Sequence, residues 1–119
     1  MLLGFEVSPE QLKKKINAGE EMLILDVRDL EEYSIANIEG AKLVPLGSLP
    51  QRLDKLAAWR DRLVVVYCHV GQRSIEAMEI LQDAGFKELK MLAGGIDAWC
   101  EEIEPHKPRY GDGAEKSGC

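Results

Sequence analysis

The chain has 119 residues, of which 45% are hydrophobic and 30% are charged, and its formal net charge is −6. This length suits one compact domain, and the composition is that of an ordinary soluble globular protein. The negative charge argues against a nucleic-acid-binding or membrane-binding surface, and no apolar run approaches the roughly 20 residues that span a bilayer. The short apolar start, Met1 to Phe5, lacks the basic flank of a signal peptide, so we expect a cytoplasmic location.

Signals for helices and strands alternate along the chain. Ser8 can cap a helix that opens at Pro9, and Gln11 can complete a capping box. In chain order we predict this helix up to about Gly19, a strand at Met22 to Leu25, a helix at Asp29 to Ile35, a brief strand before Pro45, a helix capped by Ser48 and reaching about Ala58, a strand at Val64 to Tyr67, a helix at Ile75 to Ala84, a strand at Glu88 to Leu92 and a helix at Ile96 to Glu102.

This alternation predicts an α/β fold, in which a mainly parallel sheet is covered by helices on both faces. The continuous apolar run at Val64 to Tyr67 is typical of a central strand that is buried on both faces. We expect one domain over residues 1–104 and a polar, mobile tail over residues 105–119. Apolar residues at helical spacing should pack on the sheet, namely Leu49, Leu53 and Leu56 in one helix and Ile75, Met78 and Leu81 in another.

The spacing of the cysteines matches no recognisable pattern of disulfides or metal ligands. Cys68, Cys100 and Cys119 are an odd number at wide spacing, which fits neither a set of disulfides nor a CxxC metal motif. The two histidines, His69 and His106, are also far apart in sequence, so we expect no metal site and no cofactor. We expect Cys100 to pack inside the last helix and the terminal Cys119 to be an exposed thiol.

Cys68 is the strongest candidate for a catalytic residue. It follows the predicted central strand and precedes a helix, at the edge of a parallel sheet where ligands bind. Loop N–H groups and the amino end of the helix would stabilise a thiolate there, and Gly71 permits a tight turn. A cysteine on a buried strand is more often an inert small hydrophobic residue, but these neighbours favour a functional one.

The loop from His69 to Arg73 is the predicted substrate-binding segment. If its N–H groups point inward, the side chains of His69, Val70 and Gln72 form a rim, while the backbone supplies the anion cradle. His69 as a general base for Cys68 is the alternative, but adjacent side chains rarely face each other and the sequence offers no orienting partner. Arg73 either holds an anionic substrate or pairs with a carboxylate such as Asp26.

Asp26 and Arg28 are predicted to support the site, because they end another strand and therefore lie near the same edge of the sheet. They could approach the rim directly. The reading that we favour is an ion pair that braces the loops around Cys68.

Three blocks of sequence resemble the rhodanese family of sulfurtransferases over roughly Val7 to Glu102. Ala36 to Gly40 departs from the family, which usually has Gly-His-Ile in this stretch, and we expect a local structural substitution there. The end of the chain is similar to rhodanese domains fused to ubiquitin-activating-like adenylyltransferases. The blocks are Leu23 to Arg28 with Glu31-Glu32-Tyr33, then Tyr67 to Ser74, then Ala84-Gly85-Phe86 with Leu92 to Trp99.

The resemblance implies a rhodanese-like fold and a two-step transfer through a persulfide on Cys68. A small donor such as thiosulfate or a persulfide would load the sulfur, the loop amides of His69 to Arg73 would hold it, and a sulfur-carrier or thiol protein would accept it. Little fixed positive charge is expected at the rim. We therefore expect modest activity with thiosulfate and higher activity with a persulfide donor.

Two other functions remain as alternatives. Cysteine-dependent phosphatases and arsenate reductases use similar loops, but phosphatases place one more residue between cysteine and arginine than the four found between Cys68 and Arg73. A shorter loop suits one sulfur atom better than a phosphate group. A non-catalytic binding module is the second alternative, and the presence of Cys68 counts against it.

Overall fold

A computed structural model describes residues 5–69 and 72–105. Within these residues, five strands form one sheet in the order β1-β5-β4-β2-β3, and every neighbouring pair is parallel. The strands are β1 (Glu6–Val7), β2 (Leu23–Asp26), β3 (Lys42–Leu43), β4 (Leu63–Tyr67) and β5 (Glu88–Leu92). The α-helices are α1 (Pro9–Asn17), α2 (Leu30–Ile35), α3 (Leu49–Arg52), α4 (Gln72–Asp83) and α5 (Gly95–Glu102).

Strand β4 is the centre of the sheet, as the apolar run predicts. It pairs with β2 on one side and β5 on the other, and Val64 to Tyr67 are fully buried. Because side chains alternate along a strand, β4 contributes to two core layers. Val65 and Tyr67 pack with α1 and α5, while Val64, Val66 and Cys68 pack with α3 and α4. The predicted α/β fold with helices on both faces is confirmed.

The start of α1 follows the predicted capping chemistry, and the start of α2 has a related hydrogen bond. The Ser8 hydroxyl accepts a hydrogen bond from the Gln11 N–H at 3.1 Å, and the Gln11 side chain accepts one from the Ser8 N–H at 2.9 Å. At the start of α2, the Asp29 N–H donates to Glu32 Oε1 at 3.0 Å. These reciprocal bonds satisfy amide groups that the first turn of a helix leaves without partners.

The helix predicted from Ser48 to about Ala58 begins at the predicted place, since α3 starts directly after Ser48, but its cap and most of its type differ from the prediction. Ser48 ends a 3₁₀ turn (Leu46–Ser48), its backbone is already helical, and its side chain makes no capping hydrogen bond. Only α3 is α-helical, and a 3₁₀ segment (Leu53–Trp59) follows it. Pro50, near the start of α3, has no N–H to cap, so a capping serine has little to satisfy there.

One further prediction needs correction, and one strand was missed. Ile75 is 50% exposed, because the buried face of α4 is formed by Ser74, Ala77 and Leu81 instead. Strand β1 was not predicted at all, because two residues are too few to show a periodic pattern.

The predicted boundary at residue 104 stays a prediction, because residues 106–119 lie outside the described part of the chain. His106 and Cys119 lie in the same segment, so the expected exposure of the Cys119 thiol also stays a prediction. Cys100 is completely buried in α5, as expected. No helix in the described residues is long and apolar enough to cross a membrane.

Candidate active site

Cys68 directly follows β4 and is 1% exposed. It is a thiol rather than half of a disulfide. Helix α4 begins at Gln72, so the chain passes from the end of the central strand to the amino end of a helix within a few residues. Val70 and Gly71 lie outside the described residues, as does the side chain of Gln72, so their predicted roles in substrate binding stay predictions.

The start of α5 holds the backbone that carries Cys68. The Ile96 N–H donates to the Cys68 carbonyl at 2.8 Å, and the Asp97 N–H donates to the His69 carbonyl at 3.2 Å. Gly95 makes this approach feasible, because a Cβ atom there would lie 2.4 Å from the His69 oxygen and 2.5 Å from the Cys68 oxygen. The sequence did not reveal this contact between the start of α5 and the segment that carries Cys68.

His69 has an orienting partner that the sequence did not reveal. Its Nε2 lies 3.0 Å from Asp97 Oδ2, and the two side chains are 31% and 33% exposed. The partial exposure agrees with the predicted rim position. The expectation that His69 has no partner was wrong, because Asp97 belongs to a distant helix and only the fold brings the two together.

Arg73 pairs with a carboxylate, but not with Asp26. Its Nη1 and Nη2 donate to the two carboxylate oxygens of Glu32 at 2.7 and 2.8 Å. This bidentate arrangement is the strongest form of an arginine–carboxylate contact. It joins α2 to the first turn of α4, next to the loop that carries Cys68.

Asp26 and Arg28 form the ion pair that the sequence favoured, and both are completely buried. Arg28 Nη2 lies 2.6 Å from Asp26 Oδ2, and the same nitrogen donates to the Ala36 carbonyl at 2.6 Å. Arg28 also lies over the Tyr67 ring, 5.4 Å from its centroid. The pair therefore braces the end of β4 from within the core, and it is too deeply buried to reach the rim.

Tyr67 links this pair to the segment before β3. Its hydroxyl accepts a hydrogen bond from the Ile38 N–H at 3.1 Å. Burial raises the pKa of Tyr67 well above its ordinary value, and the negative charge of nearby Asp26 adds to the increase. The hydroxyl therefore stays neutral through the physiological pH range.

Residues 8–102 match the rhodanese-like domain. The putative sulfurtransferase YtwF of Bacillus subtilis is 35% identical over 100 residues, which cover 84% of this chain and 94% of YtwF. The rhodanese-like domain of the Anabaena protein Alr3790 superposes with a TM-score of 0.73 at 31% identity, covering 82% of this chain and 74% of that one.

A longer relative is the probable adenylyltransferase/sulfurtransferase MoeZ of Mycobacterium tuberculosis. It is 37% identical over 109 residues, which cover 90% of this chain. The match spans only 27% of the length of MoeZ. The similarity therefore concerns one part of that protein.

Proposed function

Because the chain belongs to the rhodanese-like domain family, we propose that it is a sulfurtransferase that carries sulfane sulfur as a persulfide on Cys68. The observation that supports this most directly is the position of Cys68. It is a thiol at the carboxyl end of the central strand, a few residues before α4. Its backbone carbonyl accepts a hydrogen bond from α5. YtwF, a relative named as a putative sulfurtransferase, matches this chain in sequence over 94% of its own length.

The first half-reaction loads Cys68. The thiolate attacks the outer sulfur of a donor, the sulfur–sulfur bond of the donor breaks, and its electron pair leaves with the departing group. Thiosulfate would leave as sulfite, and a persulfide donor would leave as its thiolate. Loop amides and the amino end of α4 would stabilise the negative charge on the cysteine persulfide.

The second half-reaction unloads the sulfur. An acceptor thiolate attacks the outer sulfur of the Cys68 persulfide, that sulfur–sulfur bond breaks, and Cys68 returns as a thiolate. Charge is conserved in both steps and no oxidant is needed. We propose a thiol or sulfur-carrier protein as acceptor, and the part of MoeZ that this chain resembles belongs to a protein whose name combines adenylyl and sulfur transfer.

A phosphatase function is less well supported. Phosphatases of this kind use the loop arginine to hold the phosphate group, but Arg73 already makes a bidentate contact with Glu32. Releasing it would break two charge-assisted hydrogen bonds. The short interval between Cys68 and Arg73 argues in the same direction.

The test is the intact mass of the protein after treatment with thiosulfate or with hydroxyethyl persulfide, a small organic persulfide. We expect a gain of one sulfur atom that dithiothreitol removes and that Cys68→Ser abolishes. Cys119→Ser is the matched control, because it removes a different cysteine and should still gain the sulfur. If Cys68→Ser gains sulfur as the wild type does, the proposed role of Cys68 is wrong. If neither donor loads the wild type while aryl phosphate is hydrolysed, the phosphatase alternative replaces it.

A further inference from the structure

Each described basic side chain around the end of β4 lies within hydrogen-bond distance of a carboxylate. The pairs are Arg28 with Asp26, His69 with Asp97, and Arg73 with Glu32. Ion pairs elsewhere, such as Lys14 with Glu10 and Lys87 with Asp61, are exposed on both sides, so water screens them more completely.

Two of these pairs lie where a sulfur donor could meet them. Arg28 is completely buried and cannot contact a small molecule. In contrast, the side chains of His69 and Arg73 are 31% and 34% exposed, and both belong to the segment that directly follows Cys68. The charge that a donor encounters at the rim therefore depends largely on these two residues and their carboxylates.

Both carboxylates lower the positive charge that a donor would meet, because Glu32 offsets the charge of the Arg73 guanidinium and Asp97 adds a negative charge beside His69. Both Glu32 oxygens contact the Arg73 guanidinium, and Glu32 is only 18% exposed, so water screens the pair incompletely. Asp97 lies within hydrogen-bond distance of His69.

We infer that Glu32 and Asp97 determine donor specificity by making the rim less positive, which disfavours a doubly charged donor relative to a singly charged one. Thiosulfate carries two negative charges, whereas a simple organic persulfide carries one. Because Coulomb repulsion scales with the charge of the donor, each carboxylate opposes thiosulfate twice as strongly as it opposes the persulfide. The inference rests on the proposed sulfurtransferase function and assigns the residues that set its donor class.

The experiment compares kcat/KM for thiosulfate with kcat/KM for hydroxyethyl persulfide, with cyanide as the common acceptor. Because both donors produce the same loaded enzyme, the ratio of the two values reports the loading step alone. Glu32→Gln and Asp97→Asn are the test variants, since each keeps its size and a hydrogen-bond acceptor but loses its charge. Glu31→Gln is the matched control, because Glu31 is an exposed neighbour on the same helix.

We expect each test variant to raise the thiosulfate-to-persulfide ratio roughly threefold. This is the effect of a removed carboxylate charge on the one extra charge of thiosulfate, at a separation of about 7 Å and a dielectric constant near that of water. High salt should shrink this change, because it screens the carboxylate in the wild type. The control should change the ratio far less. These three results together would support the inference.

Other outcomes overturn it. An unchanged ratio in both variants, with the wild type loaded normally, refutes the specificity role alone. Equal losses with both donors, together with a lower melting temperature, would show that the carboxylates act only as structural partners. If neither donor loads the wild type, the proposed function fails and the inference fails with it.

Discussion

Gly95 is the position at which a single methyl group should disturb the site most. Its φ is +61°, in the left-handed region, where a side chain costs about 1 kcal/mol. An added Cβ would also lie 2.4 Å from the His69 carbonyl oxygen and 2.5 Å from that of Cys68. Both contacts are with backbone, which cannot rotate away, so α5 and the loop must separate.

The size of the effect follows from what this separation breaks. The hydrogen bonds from Ile96 to Cys68 and from Asp97 to His69 would lengthen or be lost, at about 1 kcal/mol each. Together with the backbone strain, Gly95→Ala should destabilise the protein by about 3 kcal/mol. In a domain of about 100 residues this corresponds to a melting temperature lower by roughly 10–20 °C.

Urea denaturation of Gly95→Ala and of Gly19→Ala provides the measurement. Gly19 also has a positive φ, of +72°, but an added Cβ there meets nothing within 4 Å, so this variant reports the backbone strain alone. We expect about 1 kcal/mol for Gly19→Ala and clearly more for Gly95→Ala, with slower sulfur loading of Cys68 in the second variant. Equal destabilisation of the two variants would refute the claim that Gly95 permits a close approach to the loop.

Three further predictions concern the supporting residues. Asp26→Asn should destabilise the protein by about 3–5 kcal/mol in urea denaturation, because it leaves the buried charge of Arg28 uncompensated, and a loss below about 1 kcal/mol would contradict this. Because the folded state raises the pKa of Tyr67, stability should be intact below about pH 10 and fall above it by up to about 1.4 kcal/mol per pH unit. Tyr67→Phe should flatten that alkaline decline in denaturation curves measured from pH 8 to 11, whereas an unchanged decline would exclude Tyr67 as its source. Ser8→Ala should cost about 1 kcal/mol by thermal unfolding, and no loss would show that its capping bonds are not stabilising.

Local sequence patterns predicted most of the fold. The apolar run that became β4 and the capping box at Ser8 are signals carried by a few adjacent residues, and the structure reproduces them. Strand β1 and the 3₁₀ segment after α3 were missed. A two-residue strand has no period, and the choice between 3₁₀ and α geometry depends on packing that a helical pattern does not encode.

The site was predicted less completely, for a related reason. Cys68 and its loop form a continuous motif, and the Asp26–Arg28 pair lies within three residues of sequence. The partner of Arg73, in contrast, is 41 positions away, and the partner of His69 lies in the last helix. No spacing rule connects such residues, so only the parallel sheet, which brings the carboxyl ends of its strands to one edge, reveals them.

The same geometry explains why three separated blocks of sequence occur together in this chain. The first block provides Glu32 for Arg73, and the third provides Gly95 and the N–H groups that hold the Cys68 and His69 carbonyls. The middle block is therefore fastened at both of its ends by the other two. Bonds of this kind from neighbouring elements help to hold a short connecting segment in one position. A substitution in either outer block should accordingly impair sulfur loading even where Cys68 and its immediate neighbours are intact.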